Sequence, residues 1–313
     1  MPASNRNLGL DALRILMSVM VIGLHTNWLC ALSPLWNQLT VNGLFRAAVP
    51  IFFIINGYYL ADAFQAGRVR LWLVRVLRIY LFWTIVYLPA YWPPSHSGAT
   101  ALVAFVANLV LGYWHLWYMA ALAMGGAVLW LLRARSGQQL LWIAVGLFAF
   151  GMMLEIAKLD VGIPMPVRAY RSFLFDALPF LLIGYVARRD EVYLARSTIW
   201  TLAAVGLIAL MFECFAQSRF AVSATAPDLH LSLLVLCPAV FLMALNLPFR
   251  TSSDRYAKAS AAIYFSHLGF MLLGERIGLL PGLQLFAFVL LLSGLACWPL
   301  IAVSRRFRLT FVV

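Results

Sequence analysis

Long apolar stretches separated by short polar breaks recur along the whole of this chain. Each runs for about 17 to 23 residues, the length a helix needs to cross a hydrocarbon core roughly 30 Å thick. Ten spans are predicted, at 9–31, 43–64, 72–92, 115–133, 139–157, 172–189, 198–216, 230–247, 257–275 and 283–304. A shorter apolar piece, Thr100 to Tyr113, reads as a re-entrant or interfacial helix leading into the fourth span. A β-barrel is excluded, because its strands would alternate apolar and polar residues. The first apolar run, Leu8 to Ala31, is too long for the core of a cleavable signal peptide. The expected fold is therefore all-α: a polytopic integral membrane protein of about ten transmembrane helices. One transmembrane domain should fill residues 1–313, with no soluble domain, since the longest break between spans is about 20 residues.

Composition agrees and narrows the partners. Hydrophobic residues make up 64% of the 313 and charged residues 11%, far outside the range of a soluble domain. The net charge of +12 invites a nucleic-acid reading. The basic residues, however, are spread over loops as the positive-inside rule requires, so the expected partner is the lipid bilayer and not nucleic acid. One set of loops and both termini carry sixteen Lys and Arg, among them Arg68, Arg70, Arg75, Arg78, Lys258 and Arg308. The opposite loops carry five: Lys158, Arg168, Arg171, Arg219 and Arg276. That bias sets both termini in the cytoplasm. Cys30, Cys214, Cys237 and Cys297 stand singly in apolar runs, so neither a metal site nor a disulfide framework is expected.

The first span holds Arg14 and His25, ionisable groups of a kind lipid tolerates only with a partner or a task. Arg14 and His25 are eleven positions apart. That is roughly three turns, which puts them on one face and about 16 Å apart along the axis. Arg14 falls in the cytoplasmic half and His25 in the outer half. Asp11, three residues before Arg14, can pair with it; the pair could equally be an interfacial anchor. Arg75 and Arg78 lie at the mouth of span three on the same side. Arginine forks suit phosphate oxygens, so Arg14, Arg75 and Arg78 could together hold a phosphorylated cofactor, with Arg78, a turn deeper, the better of the last two. An uncharged imidazole is the form a general base requires. His25 could also be a helix–helix hydrogen-bonding residue.

The same orientation puts His115 at the outer start of span four and His267 near the middle of span nine, so three histidines can converge on the outer half. His96 and His230 lie near outer loops and read as surface residues. Asn56 and Gly57 interrupt span two. Glycine allows close approach of a backbone or ligand and asparagine offers two donors, although helix packing explains them as well. Trp117 and Tyr118 suit either an interfacial belt or a pocket wall. Glu155, Arg171, Asp176 and Glu213, near outer span ends, are each readable as snorkelling residues. No nucleophile elbow, His-Glu-x-x-His pair, Walker loop or Cys-x-x-Cys pair occurs, which removes hydrolase, protease and ATP-driven pump readings.

Six separated motifs resemble one known family, the membrane-bound acyltransferase 3 superfamily. Arg14 with ten residues before His25 resembles its Arg-x10-His signature. Pro50-Ile51-Phe52-Phe53-Ile54-Ile55-Asn56-Gly57-Tyr58 is similar to its Pro-x-Phe-Phe-x-x-Ser-Gly-Tyr/Phe motif, with Asn56 in place of serine. Arg75-Val76-Leu77-Arg78-Ile79-Tyr80 resembles its arginine-rich entry to span three, and His115-Leu116-Trp117-Tyr118 its His-Leu-Trp-Phe/Tyr motif. Arg171-Ser172-Phe173-Leu174-Phe175 with Gly184 is similar to its arginine-led span six. Ser260-Ala261-Ala262-Ile263-Tyr264-Phe265-Ser266-His267 resembles its Ser-x-x-Ile-Tyr-x-x-His motif. Size and motifs are most similar to the short branch typified by the enterobacterial common antigen O-acetyltransferase.

The resemblance implies transfer of an acetyl group from cytoplasmic acetyl-CoA to a hydroxyl of an envelope glycan, polymeric or lipid-linked, in a bacterial inner membrane. It implies that Arg14, Arg75 and Arg78 hold the CoA phosphates without a metal. His25, with Arg14 and Asp11, would form the catalytic set, as general base or transient acyl carrier. Asn56, Gly57, His115, Trp117, Arg171, Tyr264 and His267 would line the acceptor side or stabilise the oxyanion. Two alternatives stand beside it. A lipid-linked sugar transporter or flippase fits ten spans with buried charges, although no internal repeat supports it. Succinyl transfer would need another basic partner, which Arg171 or Arg46 could supply.

Overall fold

The computed structural model describes residues 6–91, 98–220 and 226–307, together with Val312. Its helices are α1 (Leu8–Thr26), α2 (Pro34–Val41), α3 (Ala48–Gln65), α4 (Val69–Tyr91), α5 (Ala99–Leu111) and α6 (Trp117–Leu132). They continue as α7 (Gly137–Leu159), α8 (Leu178–Arg189), α9 (Arg196–Phe220), α10 (Leu233–Leu245), α11 (Arg255–Arg276) and α12 (Leu283–Arg306). The protein is an all-α, multi-pass membrane protein. Helices lie at all ten predicted span positions, and among the described residues seven stretches are long and apolar enough to cross a bilayer: α1, the α2–α3 run, α4, α6 with the turn before it, α7, α9 and α12. The short apolar piece after span three is α5. His96 and Arg308 lie outside the described residues.

The first predicted span is too long by five residues. Helix α1 ends at Thr26, because Asn27 takes a left-handed conformation (φ 47°) and its N–H turns back to the Gly23 carbonyl, a common helix-ending geometry. Trp28 N–H returns to the same carbonyl. His25 therefore occupies the last turn of α1, next to a loop. Helix α2, capped by Ser33, was not expected.

Close backbone contacts join the bundle. Helices α3 and α8 cross where each supplies a glycine. A Cβ on Gly57 would overlap the Leu181 carbonyl, and one on Gly184 the Ile54 carbonyl. Helix α1 is fastened to α11 by a buried pair, Ser18 Oγ and Ser260 Oγ at 2.9 Å, with Ser260 Oγ donating to the Arg14 carbonyl at 3.0 Å. A two-residue antiparallel ladder, Arg6–Asn7 with Arg250–Thr251, fixes the start of α1 against the chain entering α11. Asn7 caps α1 by accepting from Leu10 N–H and donates to the Leu245 carbonyl at 2.7 Å. The site lies where α1, α3, α6, α8 and α11 meet.

Candidate active site

Three histidines meet inside the bundle. His25 from α1 and His267 from α11 have ring centroids 5.3 Å apart, and His115, in the 3-10 turn before α6, stands 5.2 Å from His267. His115 and His267 are buried. The convergence expected of span positions one, four and nine is what the fold delivers. His267 Nδ1 lies 2.5 Å from the Tyr264 carbonyl. A carbonyl only accepts, so Nδ1 carries the proton and Nε2 is left as an acceptor, with no partner among the described residues. Tyr264 in turn donates to the His115 carbonyl at 2.7 Å. The three rings are not disposed as a metal site among the described residues.

His25 alone of the three opens onto a cavity of about 230 Å³, lined also by Arg46, Pro50, Trp117, Arg171, Asp176 and Asp228. Asp228 forms ion pairs with both arginines, to Arg46 and, at 3.1 Å, to Arg171. Glu155 at the end of α7 accepts the backbone N–H of Asp228 at 2.8 Å and of Leu229 at 2.9 Å, and so fixes the segment that presents Asp228. Burial raises the Asp228 pKa, but Arg46 and Arg171 outweigh it and hold the carboxyl below its ordinary range. Arg171 also lies over the Trp117 ring, 5.4 Å from its centroid. Asp176 reaches the cavity from a π-helical turn, Phe173–Ala177, and its Oδ1 is buried without a partner among the described residues. Such turns widen a helix by one residue and recur at functional sites.

The other expected ligands lie toward the start of α1 and on the first half of α4, with Arg14 about three turns before His25. Asp11 is fully buried between Arg14 at 3.0 Å and Arg6 at 3.3 Å. The Arg14 guanidinium stands over the Tyr59 ring at 5.0 Å. Arg75 is within electrostatic range of Arg6, Arg14 and Asp254. Arg75 and Arg78 are both exposed on α4. Arg14 does not line the His25 cavity. Instead, a run of buried rings connects the two ends. Arg14 acts electrostatically on Tyr118, Tyr118 lies 5.5 Å from Tyr264, and Tyr264 lies 5.8 Å from His267.

Residues 7–303 match the family defined by an acyltransferase domain, nearly the whole chain. The chain belongs to the acyltransferase 3 family. It is also 27% identical over 231 residues to the serine/alanine racemase of Enterococcus gallinarum, a match covering 66% of this chain and 33% of that protein. A second relative, an amino-acid racemase of Enterococcus faecalis, is 26% identical over 298 residues, 83% of this chain and 40% of that protein. The chain thus spans two fifths or less of these curated relatives. No solved structure matches it.

As an acyltransferase 3 member, the protein uses its span-two motif differently from the expected ligand role. Gly57 has no room for a ligand, because its α-carbon rests on the α8 backbone; that expectation is corrected to helix packing. Asn56 donates to Tyr118 Oη at 2.7 Å and to the Phe52 carbonyl at 2.9 Å, so it holds a ring of the buried run. His230 is not a surface residue: it is buried, with Nε2 2.8 Å from the Asn42 carbonyl and Nδ1 3.5 Å from Glu213. Asp228 was missed. It belongs to no span and follows no periodicity, and its partners lie 57 and 182 residues away.

Proposed function

We propose that this acyltransferase moves an acetyl group from acetyl-CoA to a hydroxyl of an envelope glycan, with His25 as general base. The observation that carries the reading is the position of His25. It is the single member of a buried histidine trio that lines the cavity, facing two arginines and two aspartates. His25 would take the proton from the acceptor hydroxyl as its oxygen attacks the thioester carbonyl. The carbon–sulfur bond would then break, and the proton would pass from His25 to the departing thiolate. Arg46 and Arg171 are placed to draw charge toward the cavity.

The donor would bind at the opposite end. Arg14 and Arg6 gather there around the buried Asp11 carboxylate, with Arg75 within electrostatic range of both, and phosphates cannot enter lipid. Under the positive-inside bias that end faces the cytoplasm, in a bacterial inner membrane with both termini inside. The thioester arm would then follow the line of Tyr118 and Tyr264 toward His25. Those rings fill the line in this conformation, so entry requires them to part.

Mass spectrometry of envelope glycans from a strain lacking this gene tests the reading. Loss of one acetyl mass per modified sugar, restored by the wild-type gene and not by His25→Ala, is the expected result. An unchanged glycan would contradict it.

A further inference from the structure

A second cavity of about 210 Å³ adjoins the first and shares Trp114, Trp117 and Arg171 with it. Neither space alone reaches the roughly 300 Å³ at the lower end of ligand sites, whereas the two together do. A single elongated molecule can therefore occupy both, passing over Trp117.

The two spaces differ in charge. The His25 cavity holds two arginines together with Asp176 and Asp228, and Asp228 pairs with both arginines. The second holds Arg168 and Arg171 and no acid. Arg171 is already paired with Asp228. Arg168 has no carboxylate partner among the described residues; it donates to the neutral Asn108 side-chain carbonyl. Around it stand Tyr113, Trp114 and Trp117, amphipathic rings of the kind that pack on the apolar face of a sugar. Trp114 is held at φ 45°, a left-handed conformation unfavourable for a bulky residue, and its ring bounds both cavities.

We infer that the acceptor is an anionic saccharide bound across both cavities. The unit that receives the acyl group lies beside His25, and a phosphate or carboxylate on the neighbouring part faces Arg168. This rests on the acyl-transfer reading above and adds the class of acceptor. An unpaired guanidinium bordered by aromatic rings recognises either anion.

The test uses purified full-length protein in liposomes, radiolabelled acetyl-CoA and total envelope glycan as acceptor. Labelled glycan should be retained on an anion exchanger. Loss of retention after phosphodiesterase and phosphatase would assign the anion as phosphate, and survival of retention as carboxylate. Arg168→Gln should raise KM for glycan by about tenfold or more, with kcat and the KM for acetyl-CoA unchanged. Wild-type KM should climb with added salt, Arg168→Gln should be nearly insensitive, and Arg168→Lys should recover part of the affinity. Labelled products that are all neutral, or an Arg168→Gln variant with wild-type KM and salt response, would overturn the anionic acceptor while leaving acyl transfer intact. No labelled glycan from the wild type would overturn both.

Discussion

His267 stands beside His25, 5.3 Å between ring centroids, with its Nδ1 committed to the Tyr264 carbonyl and its Nε2 without a partner among the described residues. A His25 N–H turned to that acceptor would leave its other nitrogen free toward the cavity. His267→Asn should therefore lower kcat by about 10²-fold or less, below the loss expected of the base itself, with little change in KM. Steady-state kinetics of purified variants checks this. A His267→Asn enzyme with wild-type kcat would remove the positioning role.

Gly57→Ala and Gly184→Ala should each prevent normal packing of α3 on α8, since the added methyl meets backbone carbonyls that no side-chain rotation can move. Overpacking of this kind costs about 1–3 kcal/mol or more. Thermal unfolding in detergent should show both variants strongly destabilised. Gly146→Ala, at a position with open space around the α-carbon, should unfold like the wild type.

Glu155 serves the site through the backbone of Asp228 and Leu229. Glu155→Leu leaves both N–H groups without their acceptor, at about 1–3 kcal/mol each when buried. Lower thermal stability together with a raised KM for the acceptor is expected, because the segment carrying Asp228 loses its anchor. Stability and KM measured on the same preparation distinguish this from a general loss of folding.

The ion pairs of Asp228 give a signed pH dependence. Its folded carboxyl titrates below the ordinary carboxylate range of about 4. The stabilisation is therefore fully present above that range and is lost as pH falls through the lower folded value. Acid unfolding of Asp228→Asn should lack this component, so the gap in stability between wild type and variant should narrow as the solution is acidified. A gap that widens toward low pH would contradict the assignment.

The helical membrane architecture and the meeting of His25, His115 and His267 were legible because each depends on local periodicity plus a single global fact, the side of the membrane. Arg171 was singled out by the motif that resembles the family's arginine-led span six, whereas its position alone read only as a snorkelling residue. The end of α1 was not legible, because Asn27 stops the helix by adopting a left-handed conformation inside a run that stays apolar to Ala31. Which of Arg75 and Arg78 reaches a ligand depends on how α4 is rotated against α1, which an apolar pattern does not encode. Gly57 read equally as contact or packing until the α8 backbone was known. Asp228 emerges from loop geometry that no apolar pattern encodes, and Asp176, readable in the sequence only as a snorkelling residue, is brought to the cavity by the π-turn.

The most direct measurement of the central claim is the rate at which purified protein in liposomes transfers labelled acetyl from acetyl-CoA to envelope glycan, compared between wild type and His25→Ala. The account expects transfer by the wild type and a loss of at least about 10²-fold in the variant, with the variant folded as judged by its unfolding temperature. Equal rates in the two proteins would contradict it.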